Sequence, residues 1–170
     1  RVGDPALGWA GDHVEPGVSL RNKDRDESNA LNILSCIGNR ARVISGDAKG
    51  EIGIVTGKHG GIEHVLIDFP ERVLERLNIG DKIQIESYGQ GMEILNFPEI
   101  KVMNISPDLF SLLNIKEDNN GLKIGVRKVI PAELMGSGIG SASSFSGDYD
   151  IMTQDRETLR ELGLEDLKLG

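Results

Sequence analysis

Residues 38–69 read GNRARVISGDAKGEIGIVTGKHGGIEHVLIDF, three strand-like runs punctuated by glycine turns. Residues 40–45 alternate, with Ala41, Val43 and Ser45 on one face and Arg42 and Ile44 on the other. Gly46-Asp47-Ala48-Lys49-Gly50 is a turn. Residues 51–56 alternate again, with Ile52 and Ile54 on one side. Lys58-His59-Gly60-Gly61 turns the chain once more, and residues 62–69 make a third run. β-Branched residues, period-two alternation and Gly/Asp turns together predict antiparallel hairpins. The expected class is mainly β, a β-rich α+β chain.

Working outward toward the N-terminus, residues 28–37 hold Leu31, Ile33, Leu34, Cys36 and Ile37. Periodicity leaves strand and short helix both open there. Residues 21–29, RNKDRDESN, are a solvated run of mixed charge. Residues 1–20 are rich in glycine and proline and read as extended loop. Within them Asp12, His13 and Glu15 lie in GDHVEPG, all side chains that can bind a metal or move a proton. In extended chain His13 and Glu15 share a face and Asp12 takes the other.

Toward the C-terminus, residues 70–77 predict a helix with Pro70 in its first turn, and residues 82–86 a strand with Ile83 and Ile85 inward. Residues 92–95 read as a short strand closing a small barrel, and 100–105 as another. Ser106 is the expected N-cap of a helix opening at Pro107. A turn at 118–121 leads to a strand over 122–130, and residues 158–162 are helical. Leu77-Asn78-Ile79-Gly80 recurs approximately at Leu113-Asn114-Ile115-Lys116 and at Leu167-Lys168-Leu169-Gly170. After the first copy the chain enters a strand, so the last predicts a continuing chain. The expected organisation is an N-terminal loop segment (1–30), a small barrel (31–96) and a second β-rich unit with short helices (97–170), truncated at its C-terminus.

Residues 133–155, ELMGSGIGSASSFSGDYDIMTQD, carry the other stretch with chemistry. So many small residues form a mobile loop or a backbone cradle, with Gly136, Gly138, Gly140 and Ser144 as candidate ligand-binding positions. No Gly-Lys-Ser/Thr ends the run, so it is not a phosphate-binding Walker loop, and no βαβ context makes it a dinucleotide site. Asp148 and Asp150 share a strand face, a spacing suited to a hard divalent cation.

Composition narrows the functions. The net charge is −8, which opposes phosphate backbones and anionic membranes. Residues 38–69 balance Arg40, Arg42, Lys49 and Lys58 against Asp47, Glu51, Glu63 and Asp68, so nucleic acid is not an expected partner. Aromatics are 4% of residues, so packing rests on Ile, Leu and Val. Cys36 is the single cysteine, which excludes an internal disulfide and reads as a buried, inert thiol. No apolar run is long enough to span a membrane, and no secretory signal is visible, so the cytoplasm is the expected compartment.

Three resemblances rest on these residues. Val43-Ile44-Ser45-Gly46, Lys49-Gly50 and Gly53-Ile54-Val55 resemble the KOW motif of ribosomal and transcription-elongation proteins, which implies a small SH3-like barrel. The segments Val2-Gly3-Asp4-Pro5, 8–19, Ile37-Gly38-Asn39 and Gly147-Asp148-Tyr149-Asp150-Ile151 look like a prokaryotic family of uncharacterised proteins known as a domain of unknown function. That likeness covers most of the chain, and the family is longer at both ends. More faintly, 147–151 is similar to the Gly-Asn-hydrophobic-Asp segment of acetamidase/formamidase, with Asp148 in place of the Asn. This last likeness implies metal-assisted amide hydrolysis. In that reading Asp12, Asp148 and Asp150 hold a divalent metal, His13 and Glu15 move protons, and the substrate is a small molecule. The alternatives are an RNA- or protein-binding module with a basic face at Arg40, Arg42, Lys49 and Lys58, and a scaffold protein. A homo-oligomer is compatible with all three.

Overall fold

Alternation along the central stretch becomes a sheet. Strands β1 (Val18–Leu20), β2 (Arg40–Val43), β3 (Ile52–His59), β4 (His64–Asp68) and β5 (Ile83–Glu86) pair in the order β1-β4-β3-β2-β5. Every neighbour is antiparallel. These features come from a computed structural model describing residues 17–60, 64–119, 121–136, 143–149, 151 and 155–167. The sheet curls into a half-barrel around Ala41, Val43, Ala48, Val55, Val65, Ile67, Phe69 and Val73. Val18, Leu20, Leu31, Leu77, Ile83 and Ile85 close around that cluster. Each fully buried Val or Ile side chain contributes about 1.5–3 kcal/mol, so this small aliphatic group is the main stabilising term. Among the described residues β1 and β5 are the outer edges, and no strand joins them.

One irregularity sets what faces inward. The β3–β4 register slips between Val55 and Gly57, so Thr56 is an extra residue. A bulge of this kind resets the alternation of its strand. Before it, Gly53 and Val55 point inward; after it, Lys58 does. Lys58 lies opposite Val65, as Val55 lies opposite Ile67. Gly53 is required for a separate reason: a Cβ there would sit 2.5 Å from the Asp68 carbonyl oxygen and 2.7 Å from the Phe69 ring.

Helix α1 (Arg25–Leu34) resolves the ambiguity at 28–37 and begins inside the charged run. Asp24 caps it, accepting from the Asp26 and Glu27 amides at 2.9 and 3.0 Å. Acidic Asp26 and Glu27 in the first turn suit the positive end of the helix dipole. Helix α2 (Glu71–Leu74) covers only half of the expected 70–77, with Pro70 as its N-cap. Glu51 accepts from Arg72 and Arg76, both at 3.0 Å, and binds this helix to the β2–β3 turn.

After β5 regular structure thins. Helix α3 (Pro107–Leu112) is capped by Ser106, whose Oγ accepts from the Leu109 amide as expected. Strands β6 (Lys116–Asp118) and β7 (Gly121–Lys123) form a two-stranded hairpin, and α4 (Arg156–Glu161) follows. Three expected strands are corrected. Residues 92–95 form turns and irregular chain. Of 100–105 only Ile105 pairs, in one parallel bridge to Ile37. Of 122–130 only the first two residues belong to a strand. Extended propensity makes a strand only where a partner edge is present, and the rest of these segments meets none among the described residues. The last echo falls largely on 168–170, outside the described residues.

Buried Asn39 ties three chain segments together. Its Oδ1 accepts from the Cys36 amide at 2.7 Å, and its Nδ2 donates to the Tyr88 carbonyl at 2.8 Å. Its backbone carbonyl accepts from Val55 N at 2.9 Å. Next to it Gly38 adopts φ 93°, and a Cβ there would meet Ser106 Oγ at 2.5 Å. Replacing Asn39 with Ala strands a buried N–H and a carbonyl, at about 1–3 kcal/mol each. Asn39→Ala is expected to lower unfolding free energy by roughly 2–4 kcal/mol in urea titration. A loss below ~0.5 kcal/mol contradicts this role.

Candidate functional site

Two places on the half-barrel gather features a ligand could use. The first is the open seam between the outer strands. A cavity of about 460 Å³ is lined by Gly17, Val18, Ser19 and Leu20 on one side. Leu74, Leu77, Asn78, Ile79, Gly80, Asp81 and Ile83 line the other. That volume falls in the range of ligand clefts. Its one carboxylate is already engaged. Asp81 Oδ2 accepts from the Asn78 amide at 2.9 Å, and Oδ1 lies 3.4 Å from Ser45 Oγ. Ser45 Oγ also accepts from Lys82 N at 2.7 Å. The wall between residues 77 and 83 is thus held against the β2–β3 turn. What remains for a ligand is aliphatic side chain and strand backbone.

The second place is the inward-turned Lys58. Its side chain is 6% exposed. Nζ donates to Asn104 Oδ1 at 2.9 Å and to the Phe145 carbonyl at 2.5 Å. Asn104, at φ 60°, also donates from Nδ2 to the Ser144 carbonyl at 2.8 Å. Asn tolerates that left-handed conformation better than most residues. At the end of β3 the Gly60 amide donates to Asp148 Oδ1 at 2.8 Å. Two ties from β3 and its end, and a third from Asn104, therefore fasten residues 143–149. Burial pushes the Lys58 amine down to about 8, partly offset by the nearby Cys36 thiol. The Cys36 thiol is itself pushed up by burial.

Of the candidate residues named from sequence, Gly136, Ser144 and Asp148 are described. Ser144 contributes its carbonyl to Asn104, and Asp148 caps Gly60. Asp12, His13, Glu15, Gly138, Gly140 and Asp150 lie outside the described residues. His59 and His64 face each other across the β3–β4 register beside Gly60, ring centroids 6.4 Å apart and nearly perpendicular. The divalent metal implied by the amidase likeness needs a group of ligands. Among the described residues no three His, Cys, Asp or Glu are placed to hold one, so these residues alone do not fit it. Two members of the basic face that the binding-module alternative requires are otherwise engaged. Lys58 is buried, and Arg42 pairs with Glu86 at 3.6 Å. Among the described residues no helix is long and apolar enough to cross a membrane.

Sequence reading missed Lys58 and Asn104. The alternation of residues 51–56, carried forward, places Lys58 outward; only the bulge turns it in. The depressed amine gives a test with a definite sign. Between about pH 8 and the ordinary lysine value of 10.5, the unfolded chain holds a proton that the folded protein has lost. Lys58 therefore makes stability rise with pH across that window, by roughly 3 kcal/mol at most. From pH 8 to 10 the wild type is expected to gain about 2 kcal/mol relative to Lys58→Met, read by urea titration at each pH. Parallel curves for the two proteins contradict it.

Comparison with known proteins places this architecture. Residues 1–111 match the family model "Domain of unknown function (DUF4438), N-terminal". Residues 112–170 match "Domain of unknown function (DUF4438), C-terminal". A search of curated proteins finds no match. A solved structure, "Crystal structure of TM1086", is 56% identical and covers all of this chain with a TM-score of 0.83. The chain spans 59% of that protein's length. The two matched models run end to end along the sequence, and the chain belongs to the DUF4438 family.

Proposed function

We propose that the half-barrel is a binding module that takes an extended polypeptide segment into its open seam. The observation that carries this reading is the coincidence of the two outer strands of the described sheet, β1 and β5, with one cavity of about 460 Å³ between them. An unpaired edge offers backbone N–H and C=O groups in register. A strand laid along such an edge gains ladder hydrogen bonds, and its alternate side chains enter the pocket. The KOW-like turn at 46–50 belongs to this reading, because its flank holds the 77–82 wall in place through Ser45 and Asp81. RNA is disfavoured as the occupant by the charge of −8 and the loss of Lys58 and Arg42 from any basic face.

The test is a nuclear magnetic resonance titration with an alternating Val/Thr hexapeptide, run in parallel with a 20-nucleotide RNA. Shifts concentrated on the amides of residues 18–20 and 83–86 are expected with the peptide, and none with RNA at physiological salt. Ile79 lines the cavity and is fully exposed. Ile79→Glu is therefore expected to weaken peptide binding about tenfold with the melting temperature unchanged. Shifts confined to other surfaces, or RNA binding below micromolar, reject the reading.

A metal-assisted hydrolase related to amidases is the second reading. One observation favours it: Asp148 is seated at Gly60, between His59 and His64 in sequence. Elemental analysis of the purified protein decides it. A stoichiometric divalent ion, reduced at least about tenfold in occupancy by Asp148→Ala, is the expected result under that reading. Protein that is metal-free as purified and takes up no divalent ion on addition ends it.

A further inference from the structure

Every hydrophobic side chain buried in the described residues lies between Cys36 and Val73, except Leu164. No hydrophobic side chain among the described residues from 74 to 163 is buried. This long stretch nevertheless contains the β6–β7 hairpin and a following segment rich in aliphatic residues, GLKIGVRKVI at 121–130. Ile124, Val126 and Val129 are 55%, 75% and 79% exposed. Leu112 on neighbouring α3 is also exposed. An isolated two-stranded hairpin is marginal in water, and clustered exposed aliphatics mark a surface made to be covered.

We propose that the exposed aliphatic segment carrying Ile124, Val126 and Val129 docks a further polypeptide layer, the part by which the longer solved relative exceeds this chain. That relative is 56% identical over the shared region, and about two fifths of its length lies beyond it. The chain available to cover the segment is therefore large enough for several strands. Charge argues against a second copy of this chain. Residues 121–130 hold Lys123, Arg127 and Lys128 and no acid, so two copies would set like charges together. Lys123 reaches Asp118 at 2.5 Å and Lys128 reaches Asp166 at 2.8 Å. Arg127 is exposed and has no ion-pair partner among the described residues, so the covering layer should present a carboxylate near it. Opposite charges at such a rim fix register more than they add affinity.

The test compares this chain with the same chain extended by the relative's additional polypeptide. Amides 124–129 are expected to exchange with deuterium at least about a hundredfold more slowly in the extended protein. Val126→Asp should leave the melting temperature of residues 1–170 unchanged, because that side chain is exposed, and lower that of the extended protein by several degrees. Equal exchange in the two proteins, or a silent Val126→Asp in both, overturns the proposal. So does a dimer of residues 1–170 alone that Val126→Asp dissolves, which assigns the segment to a second copy.

Discussion

The pairing of β3 with β4 is the constraint on which the rest of the structure depends. It is the longest ladder in the sheet, and its inner face supplies Val55, Val65 and Ile67 to the core. The slip at Thr56 divides it into two parts with different duties. Ahead of the slip, the strand packs aliphatic core against Phe69 and Val73. Behind it, the same strand sends an amine inward to Asn104 and the carbonyl of Phe145. One strand thus joins a packing segment to an anchoring segment across the slip. Burying an amine is unfavourable unless its hydrogen bonds are met. Two well-placed neutral acceptors take up two of them.

Polar ties do elsewhere what aliphatic packing cannot. Beyond β5 the described chain is tied to the half-barrel and its flanks by hydrogen bonds that include Asn39 to Tyr88, Ser106 to Ile37, Lys58 to Asn104, and Gly60 to Asp148. Such bonds are directional and each is worth about 1 kcal/mol net. They define where a segment sits more sharply than how strongly it is held. That is a suitable arrangement for a surface that another layer of chain completes.

The hairpins were legible because their cause is local. Alternation at 40–45, glycines at 46 and 50, and Ile83 with Ile85 carry their own pairing preference, and each appears in the sheet. The Ser106-Pro107 helix start was legible for the same reason. Residues 100–104 and 124–130 also have strand propensity but meet no adjoining edge among the described residues, and propensity alone does not say whether an edge exists. Lys58 was illegible because parity along a strand is inherited from every residue before it. Asn39 bonds to Tyr88 across 49 positions, beyond any local pattern. Of the candidate site residues, the plain types were visible. Which of them meet depends on those long-range ties.

The bulge at Thr56 also changes what counts as a small alteration of this chain. In most of a sheet, removing one residue is the severe event, because it exchanges the two faces of the strand beyond it. Within β3 the bulge absorbs that change: without Thr56, Gly57 still lies opposite Leu66 and Lys58 opposite Val65, a regular ladder with the amine inward. The anchor of the loop at 143–149 would survive the deletion. The length of this strand is therefore separable from the facing of its residues at that one place.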